Sequence, residues 1–208
     1  MQRWLILTIL CLSGGTIFML PFLREVYYIP MQQAFSFSHT QMGVLSSVFG
    51  TTSLLAYFPG GWLADRYSSR KLMSSGLLGV ALAGVFYSAF PSYSISIAIH
   101  AFWGLCTSLV FWGAMIKATR NWGNSNEQGR AFGLLESGRG VFELVSSSLL
   151  LAFFAWVGSQ ADALSQVIIL FSLCNASLAV LVWLFLKDTV GDKTGESTKT
   201  KLGLKEII

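Results

Sequence analysis

The chain has 208 residues, 53% of them hydrophobic and 12% charged, with a formal net charge of +4 and a mean hydropathy of +0.60. A soluble domain carries about twice that share of charge, so the composition excludes a large water-soluble domain and indicates a membrane protein. Cys11, Cys106 and Cys174 all fall in apolar runs, with no Cys-x-x-Cys pair and no close histidine pair, so no disulfide framework, metal centre or cofactor is expected.

A hydrocarbon core of roughly 30 Å requires about 20 apolar residues in helical form. Six stretches meet that requirement: Trp4–Tyr28, Gln41–Ala64, Leu72–Phe90, Ile95–Ala118, Arg130–Val157 and Ala163–Leu186. The first is too long for a signal h-region of about 7–15 residues and has no A-x-A cleavage site after it, so it reads as a retained span. Short polar breaks separate the six, including DRYSSRK, PSYS, RNWGNSNEQ and GSQAD. The expected fold class is an all-α polytopic membrane protein with six transmembrane helices in residues 1–186.

Of the 14 basic residues, all except Arg24 and Arg139 lie at or beyond one set of span ends. The opposite loops, residues 31–40, 91–94 and 158–162, contain no Lys or Arg. The positive-inside rule then places both termini in the cytoplasm of a multi-pass plasma (inner) membrane protein. The positive balance is thereby a topology signal, and no nucleic-acid partner is needed to explain it. From Lys187 the composition turns charged and rich in Ser, Thr and Gly, so residues 187–208 read as the start of a cytoplasmic linker.

Charge inside the spans is segregated. The third and sixth contain no ionisable residue, whereas the first carries Arg24 and Glu25, the fourth His100 and Lys117, and the fifth Glu136, Arg139 and Glu143. The third and sixth are therefore expected at the periphery, with the first, fourth and fifth facing water. Three central charges cost on the order of 8–10 kcal/mol on an insertion scale, and the apolar residues of the fifth span offset about half of that. That helix needs partners or a hydrated cavity. At about 100° per residue the three charges share a sector of about 60°, flanked by a small-residue stripe of Gly129, Gly133, Ser137 and Gly140 expected to pack closely. Leu134, Val141, Phe142 and Val145 are expected to face lipid. Two readings of the trio stand: an internal salt bridge that neutralises Arg139, or a substrate or ion site with one excess carboxylate able to carry a proton. Lys117 similarly reads either as a snorkelling anchor or as a cavity residue. His100 reads as a packing residue.

The stretch GGWLADRYSSRK resembles the signature loop of the major facilitator superfamily, G-x-x-x-D-R-x-G-x-R-K, through Gly61, Asp65, Arg66, Arg70 and Lys71. Ser68 stands where the family usually has Gly. The resemblance implies that these residues form a charge-and-helix-end latch between neighbouring cytoplasmic helix ends, biasing inward-open against outward-open states. YYIPMQQAFSFSHTQMG, residues 112–117 and EQGRAFGLLESGRG look like the branch of organic anion:cation symporters and organophosphate antiporters. In that branch Arg139 matches a substrate-facing basic position. The span-one arginine matches Phe22, with Arg24 two residues along, and the span-two lysine matches Tyr57. A doubly charged phosphate ester is thereby weakened as substrate; a singly charged acid or a sugar-like solute remains. The family has two six-span halves with the substrate site between them, each half being two three-span inverted repeats.

The chain therefore looks like the amino-terminal half of a secondary transporter, with a small-molecule solute, the lipid bilayer and a missing carboxy-terminal half as its partners. Arg139, Glu136, Glu143, Arg24, Tyr57 and Lys117 are the candidate substrate-site residues. The alternative is a non-transporting fragment, or one half of a split carrier acting as a packing partner. An intramembrane enzyme is not expected, because His39 and His100 lack a matching nucleophile or metal-ligand pattern.

Overall fold

A computed structural model describes residues 2–123, 125–158 and 160–187, in which all regular structure is helical. The expected linker lies outside these residues except for Lys187. Seven helices run α1 (Gln2–Thr16), α2 (Leu23–Phe35), α3 (His39–Arg66), α4 (Ser69–Tyr87), α5 (Tyr93–Trp122), α6 (Gln128–Val157) and α7 (Gln160–Phe185). Four of them, α3, α5, α6 and α7, are long and apolar enough to cross a membrane. The expected third span coincides with the 19-residue α4. The expected first span is two helices, α1 and α2.

Prolines explain the break. Pro21 has no N–H for the Ile17 carbonyl and disfavours helical geometry at Leu20, so residues 17–22 form turns with i→i+3 bonds such as Met19 N–H to Thr16 O at 3.0 Å. Further along, Pro30 lies inside α2, where Tyr27 departs from helical geometry (φ −114°, ψ 35°). The stretch continues past the expected Tyr28 to Phe35, where Ser36 ends it in a left-handed conformation.

Side chains fix the helix starts that follow. Ser38 and Gln41 form a reciprocal capping box on α3, with Ser38 N–H to Gln41 Oε1 at 2.9 Å and Gln41 N–H to Ser38 Oγ at 3.2 Å. Ser68 caps α4 by accepting from the Lys71 N–H. Its φ of −63° shows why glycine is unnecessary at that position.

Helices α4 and α7, whose charges are confined to their first turns at Arg70, Lys71 and Asp162, make the most extensive helix pair, with Leu78, Leu82, Phe86, Leu173 and Leu184 exposed on their outer surfaces. The core runs inward from that pair. Trp103 of α5 is fully buried, donates to the Val80 carbonyl at 3.2 Å and packs edge-on against Tyr87 and His100. His100 is itself buried, with its Nδ1 2.8 Å from the Ser96 carbonyl, a packing role as its sequence context suggests.

α3 lies along α5 at a backbone-to-backbone crossing: a Cβ on Gly60 would stand 2.5 Å from the Ser108 carbonyl oxygen, and one on Gly113 3.0 Å from that of Gly60. Between these points α5 widens into a π-helix, Leu105–Trp112, which turns Trp112 toward α3 and α6.

α6 packs on α1, but not by the expected stripe. Gly129, Gly133, Ser137 and Gly140 are exposed, and nothing lies within 4 Å of a Cβ placed on any of the three glycines. The packing glycine is Gly138, against Cys11. Leu134 and Phe142, expected in lipid, are half-buried: the Leu134 carbonyl accepts from the Cys11 thiol at 3.7 Å, and Phe142 lies against Gly15. The helix is thus rotated so that its small-residue face is open. None of its most apolar window is buried, against 44% for α5 and α7 and 22% for α3.

The close crossing yields a stability test. Gly60→Ala meets backbone that cannot move aside and is expected to destabilise the chain by about 1–3 kcal/mol, whereas Gly61→Ala, with open space around it, leaves stability unchanged. Thermal unfolding of the two variants in detergent measures the difference; equal melting temperatures contradict the crossing.

Candidate functional site

Glu136 and Arg139 are one helical turn apart on α6, the spacing at which side chains meet. Arg139 Nη1 donates to both carboxylate oxygens of Glu136, at 2.8 and 2.7 Å. The Arg139 side chain is 15% exposed and that of Glu136 57%, so the pair is anchored in the protein at its basic end and open at its acidic end. The internal salt bridge is therefore present, but it does not use all of the guanidinium. Arg139 Nε is buried with no acceptor among the described residues. An unsatisfied buried donor costs about 1–3 kcal/mol, which a water or a ligand oxygen would recover.

Two neighbours hold the guanidinium. Gly14 of α1 provides the space, since a Cβ there would fall 2.7 Å from Arg139 Cδ. Trp112 of α5 lies with its ring centroid 5.0 Å from the guanidinium carbon, within cation–π range. Trp112 in turn donates from Nε1 to Tyr57 Oη of α3 at 3.1 Å and meets Phe18 edge-on at 5.9 Å. Phe18 continues to Phe22, and Phe22 to Phe49. One connected wall thus joins α1, α3, α5 and α6: a single positive centre bordered by aromatic rings.

Toward the loop between α3 and α4 the wall opens into a cavity of about 460 Å³, lined by Tyr57, Gly61, Asp65, Trp112, Lys117 and Arg120 among others. That volume suits a small organic solute. Lys117 lines it while donating from Nζ to the carbonyls of Ala64 at 3.0 Å and Tyr67 at 3.3 Å. There it satisfies carbonyls at the C-terminal end of α3 and complements the helix dipole.

The structure therefore brings together Arg139, Glu136 and Tyr57 through Trp112, and Lys117 through the shared cavity. It does not bring Glu143 or Arg24 to them. Glu143 lines a separate, smaller cavity, and Arg24 starts α2, where Nη1 donates to the Met42 carbonyl at 3.0 Å and Nε to Glu25 at 3.1 Å. Among the signature-loop residues, Gly61 and Asp65 border the large cavity. Arg66 lies over Trp62 at 4.1 Å and Arg70 over Trp183 of α7 at 4.5 Å. Asp65 is exposed and has no ion-pair partner among the described residues.

Sequence reasoning missed the aromatic members, Trp112, Phe18, Phe22 and Phe49, because aromatic residues in an apolar span carry no marker that separates wall from core. It also missed a clasp at the opposite end of α1. Arg3 pairs with Glu127 and stacks on Trp122 at 4.2 Å, Glu127 also meets Arg130 at 3.9 Å, and Trp4 packs edge-on against Trp122. Three charges and two rings were the available signal: Arg3 and Trp4 at the start of α1, and Trp122, Glu127 and Arg130 around the loop between α5 and α6.

Comparison with known proteins adds three findings. The family model described as Major Facilitator Superfamily matches residues 4–207. The chain is 34% identical over 192 residues to the inner membrane protein YqcE of Escherichia coli and 32% identical over 187 residues to the inner membrane protein YihN of the same organism. Each match covers 90% of this chain and 44% of the relative. The chain thus spans less than half the length of the curated relatives it matches. Among solved structures it is similar to a bacterial homologue of the human lysosomal transporter Spinster, in an inward-facing and unoccupied conformation. That match has a TM-score of 0.74 and 16% identity, and covers 90% of this chain and 43% of the other.

Lys117 is testable as a structural member of the wall. Lys117→Met removes the donors to Ala64 and Tyr67 and is expected to cost about 1–2 kcal/mol, with Lys117→Arg largely restoring it. Denaturant or thermal unfolding in detergent reads the effect; an unchanged Lys117→Met contradicts the helix-end role.

Proposed function

The chain belongs to the major facilitator superfamily, and from that premise we propose that it forms the amino-terminal, six-span half of a secondary active transporter. It is a multi-pass membrane protein, and its family points to a carrier rather than an enzyme. On this reading residues 1–186 are one bundle of two three-helix inverted repeats with both termini cytoplasmic, and residues 187–208 lead toward a second, carboxy-terminal half. The two helices with the least buried apolar surface, α3 and α6, supply the face that the second half covers.

The observation that carries the function is the Arg139 guanidinium, held between Gly14 and Trp112 with one edge bonded to Glu136 and Nε unpaired. Such a centre suits a singly charged organic acid: one fixed cation, half-neutralised by Glu136, attracts a carboxylate without binding it irreversibly. The aromatic wall of Trp112, Phe18 and Tyr57 accepts the apolar or ring face of the solute. A sugar-like solute would use the same wall through Tyr57 and Glu136. The signature-loop residues Gly61, Asp65, Arg66, Arg70 and Lys71 act as a latch at the helix ends, and Asp65, unpaired within the described chain, is the group available to a partner helix. Lys117 holds the α3 end beside that latch, Arg24 anchors α2 to α3, and Glu143 belongs to cation coupling.

A second reading keeps the same packing without transport, with the chain as a fragment or as one half of a split carrier. The exposed face of α6 favours this for the isolated chain, because the open Glu136 end of the pair has nothing opposite it among the described residues to enclose a solute.

Uptake into proteoliposomes by the complete carrier, screened with radiolabelled small monocarboxylates and sugars, separates these readings. Arg139→Ala is expected to reduce uptake of the accepted solute about 10- to 100-fold with an unchanged gel-filtration profile, and Arg139→Lys to restore part of it. Undiminished uptake by Arg139→Ala removes the site assignment.

A further inference from the structure

The large cavity takes in Tyr57 and Lys117, with Arg139 and Glu136 joined to its wall through Trp112, and leaves the smaller cavity at the break between α1 and α2 without a role. That space, about 160 Å³, is lined by Phe18, Met19, Phe22, Leu23, Val26 and Phe171, and by four residues with side-chain oxygens, Glu25, Tyr27, Glu143 and Ser147. It is too small for an organic solute, whose pockets measure about 300–1,000 Å³, yet it holds several times the roughly 30 Å³ of one water.

Three observations describe its chemistry. Tyr27 is 2% exposed, and its hydroxyl has no hydrogen-bond partner among the described residues; a buried phenol without one needs a ligand or water in the space it borders. Glu143 has no ion-pair partner among the described residues, while Glu25 is bonded to Arg24 at 3.1 Å. Two carboxylates against the one arginine leave a single negative charge over. Among the described residues the Ser147 hydroxyl has only the Met19 sulfur, at 3.5 Å, as acceptor. The backbone adds to this: Pro30 lacks the N–H that would bond the Val26 carbonyl, and Tyr27 is itself non-helical, so a broken helix passes the cavity with carbonyl oxygen to spare. Broken transmembrane helices beside acidic side chains coordinate coupling cations in secondary transporters.

We propose that this cavity binds a monovalent inorganic cation, with Glu143 as its charged ligand and with Glu25, the Tyr27 oxygen and Ser147 completing an oxygen shell. The single uncompensated charge matches one positive charge. A divalent ion fits less well, since no described group of three or more His, Cys, Asp or Glu side chains could hold a metal ion. The site deepens the carrier reading and rests on it: the cavity lies between the turns at residues 17–22, α2, α6 and α7, and α6 also carries Arg139. An ion here would set the position of α6 against the broken first span and couple its own gradient to the Arg139 site, which lies about one helical turn from Glu143.

Every lining residue belongs to this chain, so binding is measurable without transport. The test is thermal unfolding of the purified chain in detergent, titrated with sodium chloride or potassium chloride against choline chloride at constant ionic strength and pH. An inorganic cation is expected to raise the melting temperature saturably relative to choline, because ligand bound to the folded state stabilises it. Glu143→Gln is expected to weaken the apparent affinity about tenfold or more. Tyr27→Phe and Ser147→Ala, which remove only an oxygen, are expected to weaken it severalfold without altering stability in choline. Arg139→Ala is expected to keep the cation response, so loss of transport and loss of the cation site are told apart. Equal melting temperatures in all three salts overturn the proposal. So does a cation response unchanged in Glu143→Gln, or, where that variant does not fold, unchanged in Tyr27→Phe and Ser147→Ala. In a parallel titration of pH in choline chloride, stabilisation that follows pH while the three salts remain equal identifies a proton as the occupant and equally overturns it.

Discussion

The arrangement depends on one constraint: a guanidinium placed in the middle of an apolar helix must be neutralised and surrounded. Arg139 meets it with three unlike contacts, a carboxylate one turn away, an aromatic face from α5, and a glycine on α1 that makes room for its methylenes. Each contact comes from a different helix, so holding the charge also fixes how α1, α5 and α6 stand relative to one another. The π-helical stretch of α5 follows from this, because it brings Trp112 into register with both Tyr57 and Arg139.

The same constraint explains the unequal burial. Beyond their charged first turns, α4 and α7 pack extensively on each other and expose large apolar side chains such as Leu78, Phe86, Leu173 and Leu184 outward. The helices that carry the wall, α3 and α6, remain the least buried. A bundle stabilised mainly through α4, α5 and α7 leaves the apolar faces of α3 and α6 largely open. The glycine crossing of α3 on α5 keeps that free helix rigid where it borders the large cavity.

Much of this was legible in the sequence, because apolar runs, caps and charge placement are local signals. The stretches at 41–64, 72–90, 95–118, 130–157 and 163–186 correspond to α3 through α7, whereas the pairing of α4 with α7 has no counterpart in the local sequence signals. The first run misled because hydropathy does not register Pro21 and Pro30 as breaks in hydrogen bonding. The rotation of α6 was wrong because small residues pack either against a helix of the same chain or against a partner. Which of the two applies is decided by Gly14, Gly15 and Cys11, about 120 residues away. Glu143 looked like a neighbour of Arg139 on an ideal wheel, but its environment is set by the break in the first span, which no periodicity reports.

The central claim is that Glu136 and Arg139 look into a hydrated space between two halves. Cysteine labelling in the complete carrier, freed of its native cysteines, tests it most directly, using a membrane-impermeant thiol reagent on Glu136→Cys with Leu178→Cys, buried between helices, as the control. The account predicts modification at position 136 from at least one side of the membrane and none at 178. A position 136 sealed from both compartments contradicts it.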